Sequence, residues 1–217
     1  LSNNGILFLD ELTEFKREVL ETLRQPLENH SVCIARALQT ITFPASFLLI
    51  AALNPCPCGF WGDKKRECKC NLQQIGKYFS KISGPLLDRI DLQIVIPSVD
   101  YETVAAKDTN NTSSEELYEA VERAATIQKK RFGNQPNWNA YMSSDQVDKF
   151  CVLTPSAQEL IKKVFDKFGF TMRGYHKLLK VARTIADFEE SQDIDLKHIQ
   201  EALLYRSLDQ NIEKLRA

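Results

Sequence analysis

The apolar residues of this chain change period several times, and each change predicts a different element. Gly5-Ile6-Leu7-Phe8-Leu9 is a continuous apolar run that stops at two adjacent carboxylates, Asp10 and Glu11. Such a run predicts a central parallel strand buried on both faces. Phe15, Val19, Leu20, Leu23 and Leu27 then recur at helical spacing, predicting one amphipathic helix over about 14–28. Val32, Ile34, Ile41 and Phe43 flank Arg36-Ala37-Leu38-Gln39, a β-hairpin pattern with a cation at its tip. Phe47 to Leu53 predicts a second fully apolar strand that ends in Asn54-Pro55, and Leu92 to Ile96 a third, stopped by Pro97.

Further along, the period is helical throughout. Ser113 with Glu116 has capping-box spacing for a helix running to Phe132. Thr154-Pro155 marks another helix start and Gly169 its end. Thr171 opens a helix carrying Leu178, Leu179, Ala182, Ile185 and Ala186, and Asp195 caps a last one with Leu196, Ile199, Ala202 and Leu203. The fold class is therefore α/β followed by all-α. Residues 1–97 form an α/β part with a cysteine-rich loop at 54–71, residues 98–114 a polar, turn-rich linker, and residues 115–217 a helical domain.

Composition narrows the function classes. Of 217 residues, 43% are hydrophobic and 26% charged, an ordinary balance for a globular chain. The formal net charge of −1 gives no global basic field, so contact with nucleic acid would need a local patch or assembly into an oligomer. The longest apolar run, Phe47 to Leu53, is too short to span a bilayer, and no signal-peptide pattern opens the chain. The expected setting is cytoplasmic, without membrane partners. The chain starts one step before a core strand without Met, and it contains no Gly-x-x-x-x-Gly-Lys-Ser/Thr loop. It is expected to be a C-terminal fragment of a longer protein.

Two groups of residues carry candidate chemistry. Open α/β sheets bind ligands at the C-terminal ends of their strands, where Asp10 and Glu11 stand. Asp10 could hold Mg²⁺ through its water shell, and Glu11 could polarise a water for attack on a γ-phosphate; a solvated acidic turn is the plain alternative. Cys56-Pro57-Cys58 and Cys68-Lys69-Cys70 are separated by nine residues, a set of four thiols that can wrap one Zn²⁺ tetrahedrally. Reduced thiols and disulfides are the other readings, and nothing in the sequence suggests the oxidising compartment that disulfides need. Lys64, Lys65, Arg66 and Lys69 surround the thiols with positive charge; with Lys77 and Lys81 they form a possible DNA-facing cluster or a solvated face. Cys33 and Cys151 read as small core hydrophobes, and His30, His176 and His198 show no ligand spacing.

Four blocks carry a family resemblance: Asn4 to Leu12, Asn54 to Gly59, Ser83 to Leu92 and Val181 to Asp187. In that order they resemble the magnesium-chelatase-like AAA+ ATPases of the ComM/YifB type, over nearly the whole chain. The resemblance implies part of a P-loop-type parallel sheet with helices, lacking the Walker A loop, followed by a helical lid. It implies ATP and Mg²⁺ as cofactors, a homohexameric ring, and DNA as partner, with recombination or branch migration in natural transformation as the work. By position, Asp10 and Glu11 match the Walker B pair, Asn54 sensor 1, Arg89 an arginine finger and Arg173 the sensor 2 arginine. Arg36 matches the hairpin that faces the pore. Plainer readings are a turn at Asn54, a surface ion pair of Arg89 with Asp88 or Asp91, and a solvated Arg173; Arg183 reads as a packing or ion-pair residue. A metal-insertion motor subunit and a non-catalytic zinc-stabilised interaction module are the competing functions. The chain alone is expected to be inactive.

Overall fold

The computed structural model describes residues 2–36, 39–63, 65–99, 112–133, 137–168 and 171–206. These fall into two compact units, the chain passing from the first to the second between Ile90 and Asp91.

In the first unit, β1 (Gly5–Leu9) lies parallel to β4 (Phe47–Ala51), with Gly5 opposite Phe47 and Leu9 opposite Ala51. A parallel pair needs a crossover connection. Here the crossover carries α1 (Arg17–Thr22), α2 (Arg24–Asn29) and an antiparallel hairpin of β2 (Ser31–Arg36) with β3 (Gln39–Pro44). After β4 come the cysteine loop, α3 (Leu72–Phe79) and the short α4 (Gly84–Leu87). Leu12, Leu20, Ile75, Phe79, Ile82 and Leu86 form the buried core, against which Leu9, Ala51 and Leu53 pack.

Three expectations for residues 1–97 need correction. The single helix over 14–28 is a 3-10 turn (Leu12–Glu14) followed by α1 and α2, broken at Leu23. The cause is Pro26, which has no N–H for the Thr22 carbonyl and whose ring would strike it. In α2 the same proline lies in the first turn, where N–H groups lack intrahelical partners in any case. The second correction concerns β1, which is not buried on both faces: Ile6, Phe8, Leu48 and Ile50 are exposed, because nothing among the described residues covers that side of the two-stranded sheet. Leu92 to Ile96, lastly, pairs in no ladder; Leu92, Ile94, Val95 and Ile96 are exposed, and a strand needs a neighbour to form.

The second unit is helical. It comprises α5 (Ser114–Arg131), a 3-10 turn at Asn139–Tyr141, α6 (Ser144–Phe150), α7 (Pro155–Phe168), α8 (Met172–Phe188) and α9 (Leu196–Leu204). Ser113 accepts from the Glu116 N–H while Glu116 accepts from that of Ser113, so the expected capping box is present; Thr171 and Asp195 cap α8 and α9. Gly169 and residues 100–111 of the expected linker lie outside the described residues. Leu178, Leu179, Ala182 and Ala186 of α8 pack with Val147, Ala157, Ile194 and Ile199 in the core. The buried Asp187 accepts from Arg131, from Asn139 at 2.8 Å and from Arg183 at 3.0 Å. Arg183 spends its remaining donors on the carbonyls of Ser191 and Gln192, which makes it the packing and ion-pair residue expected. A buried carboxylate satisfied from several sides avoids the several-kcal/mol cost of an unpaired interior charge. Cys151 is buried as expected, whereas Cys33 is exposed because its hairpin strand is open to solvent.

Candidate functional site

The acidic pair stands where β1 ends and the chain turns. Asp10 Oδ1 accepts from the Glu11 N–H at 2.9 Å, and Glu11 takes a left-handed conformation with φ 48° and ψ 50°. That conformation costs a residue with a Cβ roughly 1–2 kcal/mol, so the surroundings must hold it. On one side, the Ala52 N–H donates to the Leu9 carbonyl and the Leu12 N–H to the Ala52 carbonyl, each at 2.9 Å. Past the turn, the Glu14 N–H donates to the Glu11 carbonyl at 2.7 Å and Lys81 Nζ to the Thr13 carbonyl at 2.6 Å. Asn54 follows the end of β4, the strand beside β1.

Glu11 and Asn54 therefore border one cleft of about 620 Å³. Thr13, Glu14, Pro57, Gln74, Lys77, Tyr78 and Lys81 complete its wall. Asp10 is exposed at the strand end and is not among these residues. The cleft thus offers two carboxylates, two side-chain amides and the Lys77 ammonium, while the Lys81 ammonium is engaged by the Thr13 carbonyl, a set suited to orienting a water beside an anion. Lys77 and Lys81 were legible only as basic residues; their recurrence with Gln74 and Tyr78 at i, i+3, i+4, i+7 is the signal that puts all four on one side.

The three arginines are spread out. Arg89 follows α4 and is nine-tenths buried: Nε donates to Glu28 Oε2 at 3.1 Å, Nη2 converges on the same oxygen, and Nη1 donates to the Pro85 carbonyl at 2.5 Å. Its ion-pair partner is thus Glu28, across the fold, in place of the sequence neighbours Asp88 and Asp91. Arg173 belongs to the second unit, in the first turn of α8. Arg36 ends β2, paired with Gln39, and the intervening Ala37 and Leu38 lie outside the described residues.

The four clustered cysteines converge. Cys56 Sγ lies 3.3 Å from Cys58 and 3.6 Å from Cys68, Cys58 and Cys68 are 3.5 Å apart, and all four sulfurs sit within 4.8 Å of one another. A disulfide needs about 2.0 Å, so these are free thiols. Four thiolates at about 2.3 Å from one tetrahedral ion stand about 3.8 Å apart, and the Cys56, Cys58 and Cys68 sulfurs, at 3.3–3.6 Å, approach that spacing with Cys70 within 4.8 Å of each.

Local sequence builds that loop. Gly59 and Gly62 both take φ 82°, the left-handed region that favours glycine. Asp63 Oδ1 accepts from the Lys65 and Arg66 N–H groups, and Arg66 stacks over Phe60 at 5.1 Å. Asn71 and Gln74 form the capping box that starts α3 directly after Cys70, and Trp61 packs edge-on against Phe79. The Phe60 backbone N–H is the first cause holding the Cys58 thiol down to about 6. Cys70 is pushed up by burial and by its sulfur neighbours. The Cys58 proton leaves readily, whereas those of Cys68 and Cys70 leave only against a counter-charge, which a divalent cation supplies.

The family model described as "Magnesium chelatase, subunit ChlI" matches residues 1–104, and "Magnesium chelatase, subunit ChlI C-terminal" matches residues 111–206. The chain is also 41% identical over 216 residues to the competence protein ComM of Haemophilus influenzae, covering 99% of this chain and 41% of that protein. It belongs to the magnesium-chelatase-like AAA+ family. Another member, the uncharacterized protein YifB of Escherichia coli, is 37% identical over 96% of this chain and 40% of its own length. The DNA replication licensing factor Mcm6 of Anopheles gambiae is similar at 22% identity over 98% of the chain and 25% of that protein. The chain spans about two-fifths of the length of its family relatives. Its α/β sheet with helices, followed by a helical unit, is a partial AAA+ architecture. Among the described residues no helix is long and apolar enough to cross a membrane.

Proposed function

We propose that this chain supplies the hydrolytic edge and the lid of an ATP-driven ring motor that acts on DNA, a homohexamer in the full-length protein. The observation that carries the reading is the shared cleft of Glu11 and Asn54, at the C-terminal ends of two adjacent parallel strands. Glu11 takes the proton of the attacking water, and Asn54 orients that water or meets the γ-phosphate. Asp10 would hold Mg²⁺ through water, and that ion would neutralise charge on the β- and γ-phosphates. Arg89 acts on the neighbouring subunit's nucleotide, Arg173 meets phosphate from the lid, and Arg36 meets DNA. Cys56, Cys58, Cys68 and Cys70 hold a structural Zn²⁺. The Mcm6 likeness and the relation to a competence protein favour DNA, with strand remodelling during recombination as the work.

The test is ATP hydrolysis by the full-length protein, with and without branched and single-stranded DNA, beside Glu11→Gln. Turnover that rises with DNA and vanishes in the variant supports the motor. Glu11-dependent turnover indifferent to every DNA favours the metal-insertion reading, for which the chelatase family models are the supporting observation. No turnover overturns the enzymatic reading. The 217-residue chain by itself has no Gly-x-x-x-x-Gly-Lys-Ser/Thr loop and is expected to hydrolyse negligibly.

A further inference from the structure

Glu11 needs help to stay where it is. Its left-handed backbone is bracketed upstream by the β1–β4 ladder, and downstream the Glu14 N–H of the 3-10 turn Leu12–Glu14 donates to the Glu11 carbonyl. Thr13 is fully buried there, and its hydroxyl has no hydrogen-bond partner among the described residues. What grips the turn from outside is Lys81. Its Nζ donates to the Thr13 carbonyl at 2.6 Å across 68 residues of sequence and lies 3.9 Å from Glu14 Oε1. Lys81 is itself fixed between Phe79 and Ile82, both buried in the core against which Cys58, Cys68 and Cys70 pack.

We propose that Lys81 is a positioning residue: by holding the Thr13 carbonyl it sets the turn that aims the Glu11 carboxylate into the cleft. The proposal rests on Glu11 as the base of the proposed hydrolysis. Lys81 touches no reacting atom in this arrangement, so its loss slows the chemical step and leaves nucleotide affinity nearly unchanged. A carboxylate displaced by about 1 Å loses on the order of 100-fold in rate.

Two measurements test this. The first is amide hydrogen exchange in the chain with Lys81→Met, which keeps the side chain's apolar length and removes its charge. Faster exchange at the Glu14 amide, with an unchanged melting temperature, is expected; exchange identical to the parent chain overturns the proposal. Glu14→Gln serves as the control and leaves exchange at that amide unaltered. The second is hydrolysis by the full-length protein carrying Lys81→Met, Lys81→Arg or Glu11→Gln. Expected are a kcat reduced at least 10-fold in Lys81→Met, an unchanged KM for ATP, and recovery in Lys81→Arg. Normal kcat in Lys81→Met beside a dead Glu11→Gln overturns the positioning role and leaves the ATPase reading standing. Absence of Glu11-dependent turnover in every variant overturns the ATPase reading, and with it the catalytic role of Lys81.

Discussion

Arg89 and Glu28 stand 61 residues apart in the chain, yet two nitrogens of the one guanidinium converge on a single oxygen of the other's carboxylate. The arginine is nine-tenths buried and the glutamate two-fifths exposed, so the pair is partly shielded from water. A third donor fixed on the Pro85 carbonyl leaves the guanidinium little freedom. An arginine that serves a neighbouring subunit must be presented in a set direction, and Glu28 can do that.

If Arg89 acts in trans, its loss and the loss of Glu11 damage different halves of one composite site. Arg89→Ala in the full-length protein is expected to lower kcat by about 10³-fold or more. Mixing Arg89→Ala subunits with Glu11→Gln subunits should restore part of the turnover, because some interfaces then pair an intact Glu11 with an intact Arg89. Rates of mixed and unmixed preparations decide this, and mixtures no faster than their components would remove Arg89 from the trans role.

The thiol cluster should hold one Zn²⁺ per chain by elemental analysis. Removing it with a chelator is expected to lower the melting temperature, because metal-binding free energy at a structural site is folding free energy. Cys56→Ser, which alters the fully buried ligand, should lose the ion and lower the melting temperature similarly. A chelated protein that melts like the untreated one would argue against a structural ion.

Acid should weaken the helical unit through its caps. Asp195 is held below the ordinary carboxylate range first by the Leu196 backbone N–H and then by the Thr154 hydroxyl. Glu189 is lowered by Lys197 and then by His198. Groups with a depressed folded pKa contribute stability that is present above the unfolded value and lost as pH falls through the folded one. Stability is therefore expected to drop below about pH 4, where Asp and Glu ordinarily titrate. Denaturant melts of Asp195→Asn should show a shallower acid decline than the parent chain.

Local chemistry was legible in the sequence wherever it depends on residues a few positions apart. The Ser113–Glu116 box, the caps at Thr171 and Asp195, the hairpin and the gathered cysteines all act over such distances. The break at Leu23 was equally local, written in Pro26, but helical periodicity masked it. Leu92 to Ile96 has strand composition and forms no strand, since a strand is a relation to a neighbour and not a property of five side chains.

Sequence alone therefore determined the α/β-then-helical order, the acidic pair at a strand end and the four-thiol set. Only the tertiary structure decided that Glu11 and Asn54 share a cleft, that Glu28 holds Arg89 and that Lys81 grips the Thr13 carbonyl. Hydrogen bonds and ion pairs act over a few ångströms of space, and the partners in the last two contacts lie 61 and 68 residues apart along the chain.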